Sequence, residues 1–181
     1  MRRMLLLTLA ALGALALAAS ATAGKAINET FHDEGSFGIE NYCDEAGLDV
    51  EVAFVSDGRV HIVAHGADQL EYFLQHGKLA ETITNTANGR YVTTFTNVIE
   101  KDQVVTDNGD GTFSILAFAT GNAVLYDANG KALARDPGQI RFEILIDQAG
   151  EDHFVKVIRE STGRSDDLCD AAVPALTGST S

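Results

Sequence analysis

The fold class is decided by the stretch Ile140-Arg141-Phe142-Glu143-Ile144-Leu145-Ile146-Asp147. Every even-numbered position in it is apolar, whereas three of the odd-numbered positions carry charge. Successive side chains of a β-strand point to opposite faces of the sheet, so this pattern predicts a strand with one dry face and one mostly wet face. A helix would instead place apolar residues three and four positions apart.

Short alternating segments of the same kind begin at Leu48 and continue to about residue 160. Turn-forming pairs separate them, and Asp-Gly is the strongest short hairpin signal, so Asp57-Gly58 predicts a turn between residues 48–55 and 60–65. The other predicted turns are Asn88-Gly89, Asn108-Gly109-Asp110-Gly111, Gly121-Asn122, Asn129-Gly130, Asp136-Pro137-Gly138, Ala149-Gly150 and Thr162-Gly163.

These punctuated segments predict about eight strands. They span residues 48–55, 59–65, 69–76, 80–86, 90–106, 112–119, 123–126, 139–147 and 152–160, with 69–86 alternatively one long bent strand. Short links between neighbours favour an all-β, antiparallel up-and-down barrel in a single domain. A β-sandwich is the alternative fold.

The first 23 residues predict export from the cell. Arg2 and Arg3 precede an apolar run from Leu5 to Ala19, and Ala21-Thr22-Ala23 fits a signal-peptidase site, with cleavage after Ala21 as the alternative. The apolar run is shorter than the roughly 20 residues that a helix needs to span a bilayer. We therefore expect a secreted, extracellular protein with no membrane association after cleavage.

The exported part divides into three regions. Residues 24–47 form an N-terminal segment with a candidate edge strand around Phe31 and Phe37, and residues 48–171 form the barrel domain. Residues 172–181 are mostly small and polar, and we expect this tail to be disordered.

Cys43 and Cys169 are the only cysteines of the chain. An even number of cysteines in an exported protein predicts a disulfide, which here would close a loop of about 125 residues and contribute roughly 5 kcal/mol in the chain-entropy model. The alternative is a reactive thiol. The acidic neighbours Asp44, Asp167 and Asp170 disfavour it because they raise a thiol's pKa.

The chain is strongly acidic, with 26 Asp and Glu against 13 Lys and Arg and a formal net charge of −13. This charge disfavours nucleic acids and anionic lipid surfaces as partners. We interpret the acidic surface as favouring solubility outside the cell, and a dedicated cation-binding role is the alternative.

No motif indicates a metal, a cofactor or a catalytic group. His61 and His65 are four residues apart, but in a strand this spacing separates the two rings by roughly 13 Å, too far for one metal ion. The segment Asp107-Asn108-Gly109-Asp110-Gly111 resembles the start of a calcium-binding loop. The twelfth position counted from Asp107 is Phe118, however, where such a loop needs glutamate. A tight hairpin explains it better.

Several short motifs nevertheless resemble a known group. Tyr42-Cys43, the segment Thr94-Phe95-Thr96-Asn97 after Asn88-Gly89-Arg90, the turn Gly109-Asp110-Gly111-Thr112 and Leu168-Cys169 together resemble secreted actinobacterial small β-barrel proteins, from Phe31 to Ala171. The resemblance implies a calycin-like or allene-oxide-cyclase-like barrel. It implies no activity and carries over no functional residues.

Our leading hypothesis is a non-catalytic binder of a small apolar molecule or of an extracellular protein. The residues expected to face the interior and bind the ligand are Phe54, Phe95, Phe118, Phe142 and Ile144. One alternative is a small isomerase or cyclase that uses a polar group such as His61, Tyr72, Tyr91 or Glu143 in an apolar cavity. Another is a surface interaction or inhibitor protein with an exposed apolar patch.

Overall fold

The computed structural model describes residues 26–147, 149–159 and 165–179, which form one seven-stranded antiparallel sheet and a C-terminal helix. The strands lie side by side in chain order, which confirms the all-β class and the meander. The predicted signal peptide and the turn at Thr162-Gly163 lie outside the described residues. The elements are β1 (Ile27–Ile39), β2 (Val50–His65), β3 (Leu70–Asn85), β4 (Tyr91–Asp107), β5 (Phe113–Tyr126), β6 (Ala132–Ile146), β7 (Asp152–Arg159) and α1 (Leu168–Thr177).

Four of the predicted turns connect neighbouring strands as expected. Positive φ angles, which residues with a Cβ rarely adopt, occur at Gly89, Gly109, Gly130 and Gly150. An aspartate stabilises three of these turns by accepting backbone N–H groups two residues ahead, as Asp127 does from Asn129. The calcium-like segment 107–111 is the β4–β5 hairpin turn, closed by the Asn108 N–H donating to the Thr112 carbonyl.

Three other predicted turns are wrong. Asp57-Gly58 lies in the middle of β2, Gly121-Asn122 in β5 and Asp136-Pro137-Gly138 in β6. The segments on either side of each pair therefore belong to single long strands. Residues 69–86 likewise form one strand, as the alternative reading predicted, and the described sheet has seven strands instead of about eight.

The glycines of these three segments lie in one row across the sheet. Gly58 is opposite Gly77, Gly77 opposite Val98, Val98 opposite Gly121, and Gly121 opposite Gly138. A Cβ at Gly121 would overlap the Asn97 carbonyl oxygen, and one at Gly58 would overlap the Phe31 ring and the His76 carbonyl oxygen. Glycine is required at these two positions because neighbouring groups approach the backbone too closely for a side chain.

Pro137 is tolerated in β6 because its nitrogen does not need a partner there. The edge of β6 that faces away from β5 pairs with β7 only from Arg141 onward. The Arg135 N–H donates to the Asp166 carboxylate on the side away from β5, and the nitrogen of Pro137, two residues later, faces the same way.

The two faces of the sheet differ in burial. We call the face that carries Val50, Val52 and Ile83 the inner face and the opposite one the outer face. Along β2 and β4 the inner positions are buried, such as Ser56 and Thr96, or half-buried, whereas outer positions such as Val55 and Phe95 are exposed. In these central strands the alternation in the sequence thus gives one more buried and one more exposed face.

The core lies on the inner face at one end of the sheet, where α1 and the segment after β1 cover it. Its buried residues come from five strands, the loop and the helix: Leu48, Val50, Val52, Ile83, Val92, Leu125, Ala134, Ala172 and Leu176. This corrects our expectation of a disordered tail over 172–181, since α1 extends to Thr177 and buries Ala172 and Leu176 completely. The tail's small residues fit closely against the sheet, which a reading of polarity alone does not anticipate.

Side chains form hydrogen bonds with backbone groups at both ends of α1. Asp167 caps the N-terminus by accepting the backbone N–H groups of Cys169 and Asp170. At the other end, Asn85 and Asn88 donate to the Leu176 carbonyl and Arg90 donates to the Ala175 carbonyl. The β3–β4 turn therefore fixes the helix, and Arg90 brings positive charge to its C-terminus.

The predicted disulfide between Cys43 and Cys169 is formed, and it joins the turn after β1 to the first turn of α1. Within the described residues the sheet is not closed, because β1 pairs only with β2 and β7 only with β6. None of the described helices has the length and apolar character needed to cross a membrane.

Candidate functional site

The five residues predicted to bind a ligand do not share a face. The strand register places Phe54, Phe142 and Ile144 on the inner face, and it places Phe95 and Phe118 on the outer face. The sequence shows which residues of one strand share a face, but only the register between strands shows which strands match. The predicted set therefore divides into two groups.

A concavity of about 400 Å³ lies on the outer face, over β2, β3 and β4 and the end of β5. Its floor is made by the small residues Ala53 and Ala80, and the larger side chains of Val55, Phe95 and Tyr126 rise around them. Thr82 and Thr93, which pair across β3 and β4, lie between these walls. The concavity exists because alanines face out where their cross-strand neighbours are larger.

Glu81 is the one acidic residue among those that border the concavity, but its carboxylate belongs to the inner face. The Thr94 hydroxyl donates to it at 2.6 Å, and both side chains belong to the inner face by register. Tyr42 lies close enough to feel this charge: burial, with a further contribution from Glu81, raises the pKa of Tyr42 to about 12. The carboxylate thus already has a hydrogen-bond donor on the core side of the sheet.

The polar residues that we named for an enzymatic alternative are spread along the outer face. Tyr72 lies edge-on to His65 with ring centroids 5.2 Å apart, and Glu143 pairs with Lys156 at 3.2 Å on β6 and β7. His61 is in β2 and Tyr91 begins β4 at the opposite end of the sheet. The structure does not gather these four residues into one site, and none of them lines the concavity.

Asp147, Glu151 and His153 are close enough for their ligand atoms to lie within 4.8 Å of one another. The β6–β7 turn accounts for the arrangement, because Asp147 accepts the backbone N–H groups of Ala149 and Glu151 and contacts the His153 ring at 2.8 Å. These contacts hold the pKa of Asp147 below its usual range, and the hydrogen bond with His153 has the largest effect. The cluster is explained as a turn without invoking a metal.

The basic side chains of the strands are confined to one face of the sheet, which our sequence reasoning missed. Every Lys and Arg of the seven strands lies on the outer face, and so do all five histidines. The inner face has no Lys or Arg in these strands but carries Glu81, Glu100 and Asp136 among its acids. The sequence does contain an indication of this arrangement: basic residues of one strand, such as Arg135 and Arg141, are separated by an even number of positions and therefore share a face.

One basic group on the outer face has an evident structural role. The His32 ring contacts the Asp57 carboxylate at 2.7 Å across β1 and β2. This hydrogen bond, with the attraction of Asp57 and nearby acids, raises the pKa of His32. Both side chains are exposed, and we interpret the pair as a surface interaction that attaches the edge strand β1 to β2.

Comparison with known proteins identifies no relative: no protein-family model, no curated protein and no solved structure matches the chain. The resemblance to actinobacterial small β-barrel proteins therefore stays a prediction.

Proposed function

We propose that this protein is secreted and binds a small, uncharged, largely apolar ligand in the outer-face concavity, without catalysing a reaction. The observation that carries the proposal is the composition of the walls, in which alanine, valine, threonine and aromatic side chains predominate and no Lys, Arg or His is present. Ligand sites are typically concave, mostly apolar and equipped with a few polar groups that orient the ligand.

The dimensions of the concavity suit a small molecule. About 400 Å³ lies within the range of roughly 300–1,000 Å³ that is usual for ligand sites. Val55 and Phe95 are each 39% exposed, so a ligand would remove apolar surface from water. Burying a side chain of this size completely contributes about 1.5–3 kcal/mol, and the threonine hydroxyls supply hydrogen bonds that orient the ligand.

Extracellular location is part of this proposal. The predicted signal peptide supports it, and the disulfide between Cys43 and Cys169 is of the kind that persists in oxidising compartments.

The test is ligand binding by the mature, oxidised protein. Native mass spectrometry of protein purified from culture medium should reveal a co-purified molecule, and the polarity-sensitive dye Nile red should bind saturably. We expect Phe95→Ala to weaken dye binding by at least about tenfold, since a loss of 1.4 kcal/mol corresponds to tenfold. Ala80→Phe, which fills the floor of the concavity, should abolish binding.

Ile99→Ala is the matched control, because Ile99 lies in the same strand and on the same face as Phe95 and is 37% exposed. It should leave dye binding unchanged. Equal weakening by Ile99→Ala and Phe95→Ala would show that the dye adheres to exposed apolar surface in general, and the proposal would then be rejected.

A second candidate function is interaction with another protein, and one observation favours it. The edge strand β7 exposes Phe154, Val155, Val157 and Ile158, each between 43% and 53%. Exposed apolar edges of this kind are typical of surfaces that pair with another chain. Crosslinking of the secreted protein in culture medium, compared with a Val155→Lys variant, would test whether β7 holds a partner.

A further inference from the structure

A second feature of the outer face is a straight row of cations. Lys101, Phe118, Arg141 and Arg159 occupy directly opposed positions on β4, β5, β6 and β7. Neighbouring strands are about 4.8 Å apart, so Lys101 and Arg141 are separated by roughly 10 Å along the row. All three cations are exposed to solvent.

The cations of this row lack acidic partners within the part of the chain that the structure describes. The nearby Lys156 pairs with Glu143, but no described carboxylate forms a salt bridge with Lys101, Arg141 or Arg159. Arg141 and Arg159 also face each other directly, and like charges in that position destabilise a sheet. In a chain with twice as many acidic as basic residues, the row is a local concentration of positive charge, to which an anion would be attracted.

Phe118 lies between two of the cations and contacts both. The Lys101 Nζ lies 5.7 Å and the Arg141 Cζ 5.9 Å from the centre of its ring, within the range of cation–π attraction. These contacts favour conformations of both side chains beside the ring, which reduces the entropy lost on binding. The carboxylates next to Lys101 in sequence, Glu100 and Asp102, belong to the inner face.

We propose that the row Lys101–Phe118–Arg141–Arg159 binds an acidic oligosaccharide, a chain of sugars that carry carboxylates, lying across the strands. A pyranose ring is about as long as the distance between neighbouring strands, so a flexible chain of acidic sugars lying across the strands can turn the carboxylates of successive or alternate rings towards the cations. Arginine binds carboxylates through two parallel hydrogen bonds, and lysine provides a point charge. His76 and Thr120 lie in the adjacent row on the same face, where the His76 ring and the Thr120 hydroxyl oxygen would be available to sugar hydroxyls.

Single-stranded nucleic acid fits the row less well. Proteins that bind it stack bases on free aromatic rings, whereas the ring of Phe118 already carries two cations. The net charge of −13 does not prevent local binding, because charges farther than about 8 Å are largely screened at physiological ionic strength. The row is also separate from the concavity, since Lys101 follows Phe95 by six residues, or roughly 20 Å, along β4.

Calorimetric titration of the oxidised, mature protein with short galacturonic acid oligomers at low salt tests this proposal. We expect saturable binding that weakens as salt is added, and no binding of methyl-esterified oligomers of the same length. Arg141→Gln and Lys101→Gln should each weaken binding about tenfold, because each removes a charge-assisted contact.

Two variants on the same face of the sheet, outside the row, serve as matched controls. Arg135→Gln in β6 and Lys78→Gln in β3 remove equal charge outside the row and should change affinity less than twofold, while circular dichroism confirms that every variant folds. The proposal is overturned if the control variants weaken binding as much as the row variants. It is overturned equally if the acidic oligomers fail to bind or if single-stranded DNA binds as tightly. Nile red binding to the concavity is measured separately, so either proposal can fail alone.

Discussion

At the scale of single residues, Tyr42 shows how burial near a charge alters chemistry. It lies in the short turn beside Cys43, packs against the core and sits close enough to Glu81 to feel its charge. Both the loss of water and the nearby negative charge oppose ionisation of the phenol, and burial is the larger effect. The sequence gives no sign of this, because Tyr42 and Glu81 belong to distant segments.

We expect Tyr42 to ionise near pH 12 in the folded protein, against about 10 in an unfolded chain. Its raised pKa means that the folded state holds a proton that the unfolded state releases, so stability should fall as pH rises from about 10 towards 12. Ultraviolet titration of the tyrosines measures this. Glu81→Gln should lower the pKa of Tyr42 only in part. Ionisation of Tyr42 near pH 10 would contradict the prediction.

At the scale of elements, the row of glycines explains why three turn signals belong to strands. Asp-Gly, Gly-Asn and Pro-Gly are favoured in turns because glycine accepts close approach and unusual backbone angles. Here the first of these properties is used across the sheet, where Phe31 covers Gly58 and the Asn97 carbonyl approaches Gly121. Local sequence does not distinguish the two uses, because the neighbouring strand supplies the constraint.

Gly121→Ala should destabilise the protein by about 1–3 kcal/mol, because its Cβ would overlap a backbone oxygen that cannot rotate away. Gly77→Ala, in the same row, meets its nearest atoms at 3.4 Å or beyond and should change stability by no more than about 1 kcal/mol. Urea unfolding of both variants measures the difference. Equal effects would show that loss of glycine flexibility, and not close packing, governs the row.

Helix α1 makes an equally specific prediction. Leu176 is completely buried against the sheet, so Leu176→Ala should cost about 2–5 kcal/mol of unfolding free energy. Ile158→Ala in β7 removes a similar side chain that is 48% exposed and should cost much less. Urea denaturation of the two variants distinguishes a docked helix from a loosely attached tail, for which both would have little effect.

At the scale of the whole molecule, the disulfide and the open edges determine how the chain is held. The bridge links residues 126 positions apart, so it constrains almost all of the sheet. The edge strand β1 carries the charged residues His32, Asp33 and Glu34, which discourage pairing with other chains, whereas β7 exposes apolar side chains. Of the two edges, β7 is therefore the one better suited to pair with another chain.

Replacing both cysteines by alanine should lower the free energy of unfolding by about 2–5 kcal/mol, the usual effect of removing a native disulfide from a small domain. Thermal unfolding of this variant, alongside the original chain with and without reductant, measures the loss. An unchanged midpoint would mean that α1 stays docked without the bridge and that the bridge contributes little.

The sequence by itself determined the all-β class, the antiparallel meander, four of the turns and the pairing of Cys43 with Cys169. These depend on side-chain alternation, turn chemistry and a cysteine count, all of which are local or unambiguous. Only the tertiary structure decided the row of glycines, the docking of α1, the outer-face concavity and the row of cations. The docking of α1 depends on its packing against strands far away in the chain. The other three depend on the register between neighbouring strands, because a shift of one residue would move every side chain of a strand to the other face.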